Sequence, residues 1–397
     1  MKKILFLGAA PTQVSPIQYA LEQGHRVFTC DYLPENPGHR LAHESFIVST
    51  TDKEAVLELA KRLKIDGIVA YASDPAAPTA AFVAEQMGLP GNPYQSVLTL
   101  TRKDLFRTFL KKHGFNVPRS QSFYVREEAR VWLNKIGMPA FIKPVDSSGS
   151  KGVTRLTDLA KFDEAFDCSL VYSREKMVVI EEQIIRSHHQ IAGDGFILNG
   201  ELIFWCWADE HFDKLCNGLV PIGESFPTQH PNYLLAIAQA ESQRLLTLLG
   251  MKTGALNFDF VFTEDGRLFF LELGPRNGGC LIPEVIRYAT GMDLIKCTVD
   301  AALGLPCSEF KINNVEGFWS SYMLHSLEDG VFQELWISDR LMRKIVEQDI
   351  WVKTGDKVEK YFGSNQILGT MILRFESMLE MTEMMDNMEQ DIQVIVQ

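Results

Sequence analysis

Closely spaced cysteines and long hydrophobic runs are both missing from this 397-residue sequence. None of its seven scattered cysteines forms a C-x-x-C pair, so zinc ribbons and disulfide frameworks are disfavoured and a reduced cytoplasm is the expected location. The apolar stretch Ile4–Leu7 is too short for a secretory signal peptide. No segment approaches the roughly 20 apolar residues that cross a bilayer, so we expect no membrane partner.

Positive charge is scarce relative to negative charge. The chain has 39 Lys+Arg and 51 Asp+Glu, which gives a formal net charge of −12. Proteins that bind nucleic acids hold the phosphate backbone with a broad basic face, so we expect no nucleic acid partner. A locally positive pocket for one small anion is still compatible with this balance.

Two common nucleotide-binding motifs are absent. The G-x-x-x-x-G-K-[ST] spacing of a P-loop does not occur. The turn after the first predicted strand contains Gly8 and Pro11 but not G-x-G-x-x-G, which argues against a dinucleotide-dependent oxidoreductase.

The first 95 residues alternate strand and helix. Strands are predicted at Lys3–Leu7, Arg26–Asp31, Phe46–Ser49 and Ile65–Tyr71. This rhythm predicts a Rossmann-like parallel sheet, which binds ligands at the carboxyl ends of its strands. Candidate residues at this rim are Gly8, Thr12, Gln13, Asp31 and Asp74.

The rest of the chain has a different pattern. Asn199-Gly200 between two apolar runs predicts a tight β-hairpin, and the last part of the chain is predicted to end in a helix that closes on Ile392–Val396. The predicted fold class is α/β and α+β. It has four parts: a parallel-sheet domain (1–95), a linker helix with a small subdomain (96–184), a large subdomain (185–310) and a small C-terminal α+β domain (311–397).

A loop rich in glycine and serine, Asp146–Gly152, joins two predicted strands. Gly149 and Gly152 tolerate the backbone conformations in which successive N–H groups point at one phosphate. Lys143 lies just upstream and would add an ammonium group to the same anion. Taken alone, such a segment is more often a plain flexible loop.

Two carboxylates interrupt the apolar strands of a predicted hairpin, Ala255–Phe262 and Arg267–Glu272. Asp259 and Glu272 can face each other across this hairpin. An acid on an apolar strand is costly to bury unless it is paired or binds a metal, and Mg²⁺ is held by carboxylates together with substrate phosphates. The hairpin alone is equally compatible with two acids on a solvated face.

Two more segments carry candidate residues. Arg276 lies in a Pro/Gly turn four residues after Glu272, where it is suited to clamping a phosphoryl group. Glu181 and Glu182 end an apolar strand that resembles a hinge whose backbone pairs with adenine. Each taken singly is also explained by solvated charges, as at a loop or a strand end.

These segments occur in the order and at the spacings of the ATP-grasp superfamily, which the chain resembles over about residues 1–310. Thr101–Pro118 resembles the family's entry helix, Met138–Val153 its lysine and phosphate loop, and 259–279 its acid–arginine signature. Carbamoyl phosphate synthase large-chain halves, biotin carboxylase, the purine-pathway ligases and the L-amino acid ligases are similar. The resemblance implies a pre-ATP-grasp domain, a two-subdomain ATP-grasp fold and a small C-terminal domain.

The resemblance also implies a role for each motif. Arg276 and Lys143 would be catalytic, and Lys103 and Lys143 would contact the α- and β-phosphates of ATP. Asp259 and Glu272 would hold Mg²⁺ or Mn²⁺. Further cofactor-binding residues implied in this way are Ser147, Ser148, Gly149, Ser150, Lys151, Gly152, Glu181, Glu182, Gln183, Ile184 and Gln190.

Two positions depart from the family pattern. Gly274 stands where many members have an Asn metal ligand, although purine ligases that read E-x-x-P-R share this absence. Gln190 stands where a Glu is frequent, so it adds no charge. These departures favour an alternative, namely an ATP-binding regulatory module that has lost ligase activity.

The implied activity is that of an ATP- and Mg²⁺-dependent ligase acting through an acyl phosphate, similar to phosphoribosylglycinamide synthetase or to carbamoyl phosphate synthase. The expected substrates are a small-molecule carboxylate and an amine, with a thiol or bicarbonate as other options, and a homodimer is compatible because relatives form one. Residues expected to contact the substrates are Thr12, Gln13, Asp74, Lys214, Asn277, Gly278 and Gly279.

Overall fold

The computed structural model describes residues 1–307 and 314–397, so the predicted boundary between residues 310 and 311 lies outside the described residues. The N-terminal elements are β1 (Lys3–Leu7), α1 (Val14–Glu22), β2 (Arg26–Asp31), α2 (Pro37–Leu41), β3 (Glu44–Ile47), α3 (Lys53–Leu63), β4 (Gly67–Val69) and α4 (Ala77–Met87). They form the predicted parallel sheet, in the order β3-β2-β1-β4. The strand predicted at Phe46–Ser49 begins two residues earlier, because this edge strand is mostly exposed and hydrophobicity does not mark its start.

The second sheet is antiparallel and holds the glycine-serine loop between two of its strands. Its elements are α5 (Tyr94–Thr101), α6 (Lys103–Lys112), β5 (Ser120–Phe123), α7 (Arg126–Ile136), β6 (Ala140–Pro144), β7 (Thr154–Leu156), α8 (Phe162–Tyr172) and β8 (Val178–Glu182). The strand order is β5-β8-β6-β7. Phe162 and Phe166 pack in one core with Ile142 and Ile180, which fixes the strand that carries Lys143.

The third sheet begins in the large subdomain. Its elements there are β9 (Gln190–Leu198), β10 (Glu201–Phe212), β11 (Pro221–Phe226), α9 (Asn232–Leu249), β12 (Gly254–Phe262), β13 (Leu268–Gly274), α10 (Ile282–Thr290) and α11 (Leu294–Ala302). Asn199 and Gly200 both have positive φ in the predicted turn between β9 and β10. Trp207, Phe258 and Phe260 pack on the face covered by α9, and the alternating residues of these strands face the other side.

Three of the six C-terminal strands continue this sheet, and the other three form a separate sheet. The elements are β14 (Phe318–Leu324), β15 (Gly330–Ile337), α12 (Asp339–Met342), β16 (Ile345–Ile350), β17 (Lys357–Val358), β18 (Gly369–Phe375), α13 (Met378–Met385) and β19 (Ile392–Val396). The eight-stranded order is β13-β12-β9-β10-β11-β14-β18-β16. A further link joins β10 to the end of α13, where His211 Nδ1 lies 2.8 Å from Asp386 Oδ1.

The prediction of a helix that closes on Ile392–Val396 is wrong. The helix α13 stops at Met385, and Ile392–Val396 is a strand that pairs with β15. Its β-branched residues alternate between more and less buried positions, a pattern that favours a strand. The predicted fold class of α/β and α+β is otherwise confirmed, and in 1–307 and 314–397 no helix is both long and apolar enough to cross a membrane.

Candidate active site

Asp259 on β12 and Glu272 on β13 are direct cross-strand partners, so their predicted register is confirmed. Asp259 is half-buried, and Lys103 Nζ lies 2.8 Å from Glu272 Oε1. Burial and the neighbouring Glu272 raise the pKa of Asp259 to about 7. The positive charge near Asp259 therefore does not offset its burial and the charge of Glu272, and the carboxylate oxygens of the pair suit a divalent cation such as Mg²⁺.

Two glutamates that the sequence interpretation missed lie beside this pair. Glu210 on β10 and Glu224 on β11 are direct cross-strand partners and are only 5% and 4% exposed. Gln190 Nε2 donates to Glu210 Oε2 (2.6 Å) and also to Asp259. Apolar neighbours in the strand marked Asp259, whereas Glu210 lies between Asp209 and His211 and Glu224 between Gly223 and Ser225. The signal that marked Asp259 is therefore missing at both glutamates.

Glu181 at the end of β8 forms a buried cluster with two cations. Arg107 Nε lies 3.0 Å from one carboxylate oxygen, and Lys143 Nζ donates to the other. Burial alone would raise the pKa of Glu181, but Arg107 and Lys143 outweigh it and hold this pKa at about 2. The side chain of Glu181 therefore positions Lys143.

Replacing Glu181 with Gln is expected to destabilise the fold by about 3 kcal/mol, because two cations lose their buried partner. The pKa of Glu181 is depressed on folding, so its contribution is present above its ordinary value of 4.5 and is lost as the pH falls toward about 2. Urea unfolding of both proteins should therefore show a smaller difference at pH 3 than at pH 7. An equal difference at both pH values would contradict this, and exposed Glu128→Gln is the control.

The glycine-serine loop has the backbone geometry that was predicted for it. Gly149, Ser150 and Gly152 have φ values of 64°, 56° and 73°. Such left-handed residues turn neighbouring N–H groups toward one side, as a phosphate-binding nest requires. Lys103 Nζ donates to the carbonyl of Ser147 (2.8 Å), so this lysine connects the loop to Glu272.

The same loop also touches the rest of the molecule. Ser150 Oγ donates to the carbonyl of Leu219 (2.6 Å) in the β10–β11 connection. The N–H of Ser364 donates to the carbonyl of Gly149 (3.4 Å). The loop is therefore held over the large sheet by the large subdomain and the C-terminal part together.

Arg276 follows β13 and reaches the N-terminal domain. Its Nε and Nη2 lie 2.9 and 2.6 Å from the two carboxylate oxygens of Asp74, and its Nη1 lies 2.8 Å from Asn257 Oδ1. Asp194 on β9 accepts from the N–H of Gly278 (2.8 Å) in the same turn. The predicted residues Asp74, Arg276 and Gly278 therefore lie together, and the solvated-charge interpretation of Arg276 is wrong.

These observations converge on a known arrangement. Residues 102–310, more than half of the chain, match the family described as carbamoyl-phosphate synthase L chain, ATP binding domain. The chain belongs to this ATP-grasp family. The matched range contains the glycine-serine loop, the β12–β13 hairpin and Arg276.

Individual ATP-grasp relatives are distant. The chain is 28% identical over 271 residues to an uncharacterized protein of Sinorhizobium fredii, a match that covers 66% of this chain and 54% of that protein. It is 27% identical over 281 residues to the formate-dependent phosphoribosylglycinamide formyltransferase of Wolinella succinogenes, covering 69% and 70%. The chain therefore spans about half the length of the first of these relatives.

A solved structure shows the same ATP-grasp fold. The chain superposes on an L-amino acid ligase of Bacillus licheniformis with a TM-score of 0.83 at 18% identity, over 100% of this chain and 99% of that chain. At this identity the likeness establishes the fold alone.

Two predicted substrate residues are engaged elsewhere. The Gln13 amide is used within the loop after β1, where Oε1 accepts from the N–H of Ala10 (2.8 Å) and Nε2 donates to the carbonyl of Tyr71 (2.9 Å). Lys214 Nζ donates to the carbonyl of Asp386 (3.2 Å) and lines a separate cavity of about 440 Å³ between loop 213–215 and β19. The polar atoms of the Gln13 and Lys214 side chains therefore have partners within the protein, and their contacts with a substrate stay predictions.

Of the other predicted substrate residues, Asn277 and Gly279 belong to the Arg276 turn and Thr12 lies in the N-terminal domain. Asn277 is fully buried and its Oδ1 accepts from Thr298 (2.7 Å). Gly279 lies next to Ala72 of the N-terminal domain, and Thr12 lies in the short turn Pro11–Gln13 after β1. Their contacts with a substrate stay predictions.

Two residues of the hinge segment that was expected to bind adenine have hydrogen-bond partners within the protein. The Glu182 carboxylate accepts from Arg119 Nε (2.6 Å), and the N–H of Gln183 donates to the carbonyl of Pro139 (3.3 Å). The Glu182 side chain thus links β8 to Arg119, which directly precedes β5. Recognition of adenine near Gln183 and Ile184 stays a prediction.

Proposed function

We propose that this ATP-grasp protein is an ATP- and Mg²⁺-dependent ligase that joins a small carboxylate to an amine through an acyl phosphate. The observation that carries the proposal is the arrangement of charges at one end of the β12–β13 hairpin. Asp259 and Glu272 face each other, Lys103 contacts Glu272, and Arg276 follows on the next turn. The activities named for two similar proteins, a formyltransferase and an L-amino acid ligase, also support acyl transfer to an amine.

Each group has a defined task in this proposal. Asp259 and Glu272 would hold Mg²⁺ or Mn²⁺, and a bound metal supplies positive charge to the phosphates. Lys103, Lys143 and the loop N–H groups orient the triphosphate, and Arg276 neutralises the phosphoryl oxygens. A substrate carboxylate oxygen bonds to the γ-phosphorus as the bond from that phosphorus to ADP breaks. The amine nitrogen then bonds to the carbonyl carbon, and inorganic phosphate leaves.

A regulatory ATP-binding module is the second candidate. Gly274 provides no side chain as a third metal ligand, and Gln190 contributes an amide where a carboxylate is frequent. The Gln190 amide donates hydrogen bonds to the carboxylates of Glu210 and Asp259 and contributes no negative charge of its own. A module of this kind binds ATP tightly without turnover.

A hydroxamate assay separates the two candidates. Purified protein is incubated with MgATP, hydroxylamine and a panel of carboxylates that includes amino acids and formate. A ligase is expected to form hydroxamate and ADP in equal amounts with at least one carboxylate, because hydroxylamine captures an acyl phosphate. ATP binding without ADP release for any carboxylate would select the regulatory module. The variant Lys143→Ala should lose both ATP binding and turnover.

A further inference from the structure

Glu224 carries a carboxylate oxygen with no partner. The residue is 4% exposed, and its Oε2 has no hydrogen-bond partner within residues 1–307 and 314–397. It lies directly opposite Glu210, and Gln190 connects Glu210 to Asp259, so all these side chains share the active-site face. A buried carboxylate without a donor or a cation is costly, so this position calls for a ligand.

The neighbouring side chains do not supply that partner. The Gln190 amide nitrogen is already shared between Glu210 and Asp259. Arg276 acts on Glu224 electrostatically, but two of its nitrogens are bonded to Asp74. Arg276 is therefore already paired with the carboxylate of Asp74.

The charge around Glu224 is predominantly negative. Burial, then Asp194 and Asp259, raise the pKa of Glu224 well above its ordinary range. Burial, followed by the charges of Asp259 and Glu224, also raises the pKa of Glu210 well above its ordinary value. Such a group of acids beside a phosphoryl-transfer site is complementary to a ligand that brings positive charge.

We propose that Glu224, together with Glu210, binds the ammonium group of the acyl acceptor. The inference rests on the proposed function, since it requires an amine substrate. The location fits, because Glu210, the cross-strand partner of Glu224, shares the Gln190 amide with Asp259, the residue assigned to the metal. The bound nitrogen bonds to the acyl carbon as the carbon–oxygen bond to phosphate breaks. It loses two protons overall, one to the departing phosphate and one to solvent.

Methylammonium is a probe that does not depend on turnover. The melting temperature of the protein with MgADP should rise with methylammonium chloride relative to equal sodium chloride. Glu224→Gln keeps the side-chain shape but not the charge, so it should lose this rise, and Glu201→Gln, exposed at the start of β10, should keep it. No rise in the wild type, or an equal rise in Glu224→Gln, overturns the proposal.

A second measurement uses the hydroxamate assay. Hydroxylamine is uncharged at neutral pH, whereas methylamine is charged. Methylammonium should therefore inhibit hydroxamate formation, and its inhibition constant should rise about 10- to 100-fold in Glu224→Gln, the range for a hydrogen bond to a charged group. An unchanged inhibition constant in Glu224→Gln overturns the proposal. A change only in the Mg²⁺ dependence of Glu224→Gln also overturns it, because that result would indicate a second metal site. Absence of hydroxamate in the wild type tells against the ligase function instead, so the two failures are distinguishable.

Discussion

Replacing Asp259 with Asn is expected to lower the rate of ADP formation by about a hundred-fold or more, because the chain loses a ligand for the ion that offsets phosphate charge. The same change should not destabilise the fold. Burial and Glu272 raise the pKa of Asp259 to about 7, so the ionised form is disfavoured in the free chain and a neutral amide relieves that penalty. Lost turnover with an unchanged or higher melting temperature identifies a ligand-binding acid.

The measurement is ADP formation over a range of Mg²⁺ concentrations, with thermal unfolding of each variant in parallel. Glu272→Gln should resemble Asp259→Asn in activity. Glu264→Gln, an exposed acid in the turn of the same hairpin, should behave like the wild type. Near-normal turnover of Asp259→Asn at ordinary Mg²⁺ would show that the metal assignment is wrong.

Replacing Arg276 with Gln is expected to reduce ADP formation by about 100- to 1,000-fold. A positioned donor that meets charge developing on the transferred group accounts for an effect of this size. The loss should fall mainly on kcat, because Lys103 and Lys143 still bind the triphosphate in the proposed function. Steady-state kinetics with varied ATP measure this separation of kcat and KM.

Two variants test whether Arg276 acts directly. Arg267→Gln removes an arginine that pairs with Asp265 in the exposed hairpin turn, and it should leave activity unchanged. Asp74→Asn removes the ionic partner of Arg276 but keeps the guanidinium, so its effect should be clearly smaller. Equal losses in Asp74→Asn and Arg276→Gln would mean that the arginine only links the N-terminal domain to the hairpin.

The sequence allows prediction of strand pairs that are joined by short turns. Asp259 faces Glu272 because the brief turn near residues 264–266 restricts the register of the hairpin. Glu210 and Glu224 sit on strands joined by loop 213–220, and a bulge lies at His211/Phe212. Their register depends on packing across the whole sheet, so local pattern could not place them together.

The hydrogen-bond partners of individual side chains could not be predicted from the sequence either. Gln13 lies at the predicted rim of the parallel sheet, but its amide turns back onto Ala10 and Tyr71. Glu182 lies at the predicted hinge, but Arg119 binds its carboxylate. Motif order locates a backbone segment, whereas the partner of each polar group is decided by side chains that are distant in sequence.

The continuous sheet makes a C-terminal strand part of the framework that holds Glu224, the residue proposed to bind the acceptor. Residues Gly223–Phe226 of β11 pair with Trp319–Tyr322 of β14, and Glu224 lies directly opposite Ser321. Without β14 this part of β11 would be an open edge with unpaired backbone groups. The β12–β13 hairpin, to which we assign the metal and the nucleotide, lies at the far end of the same sheet. In the proposed assignment, a change of sequence in the C-terminal strands would therefore alter the acceptor site and leave the β12–β13 hairpin in place.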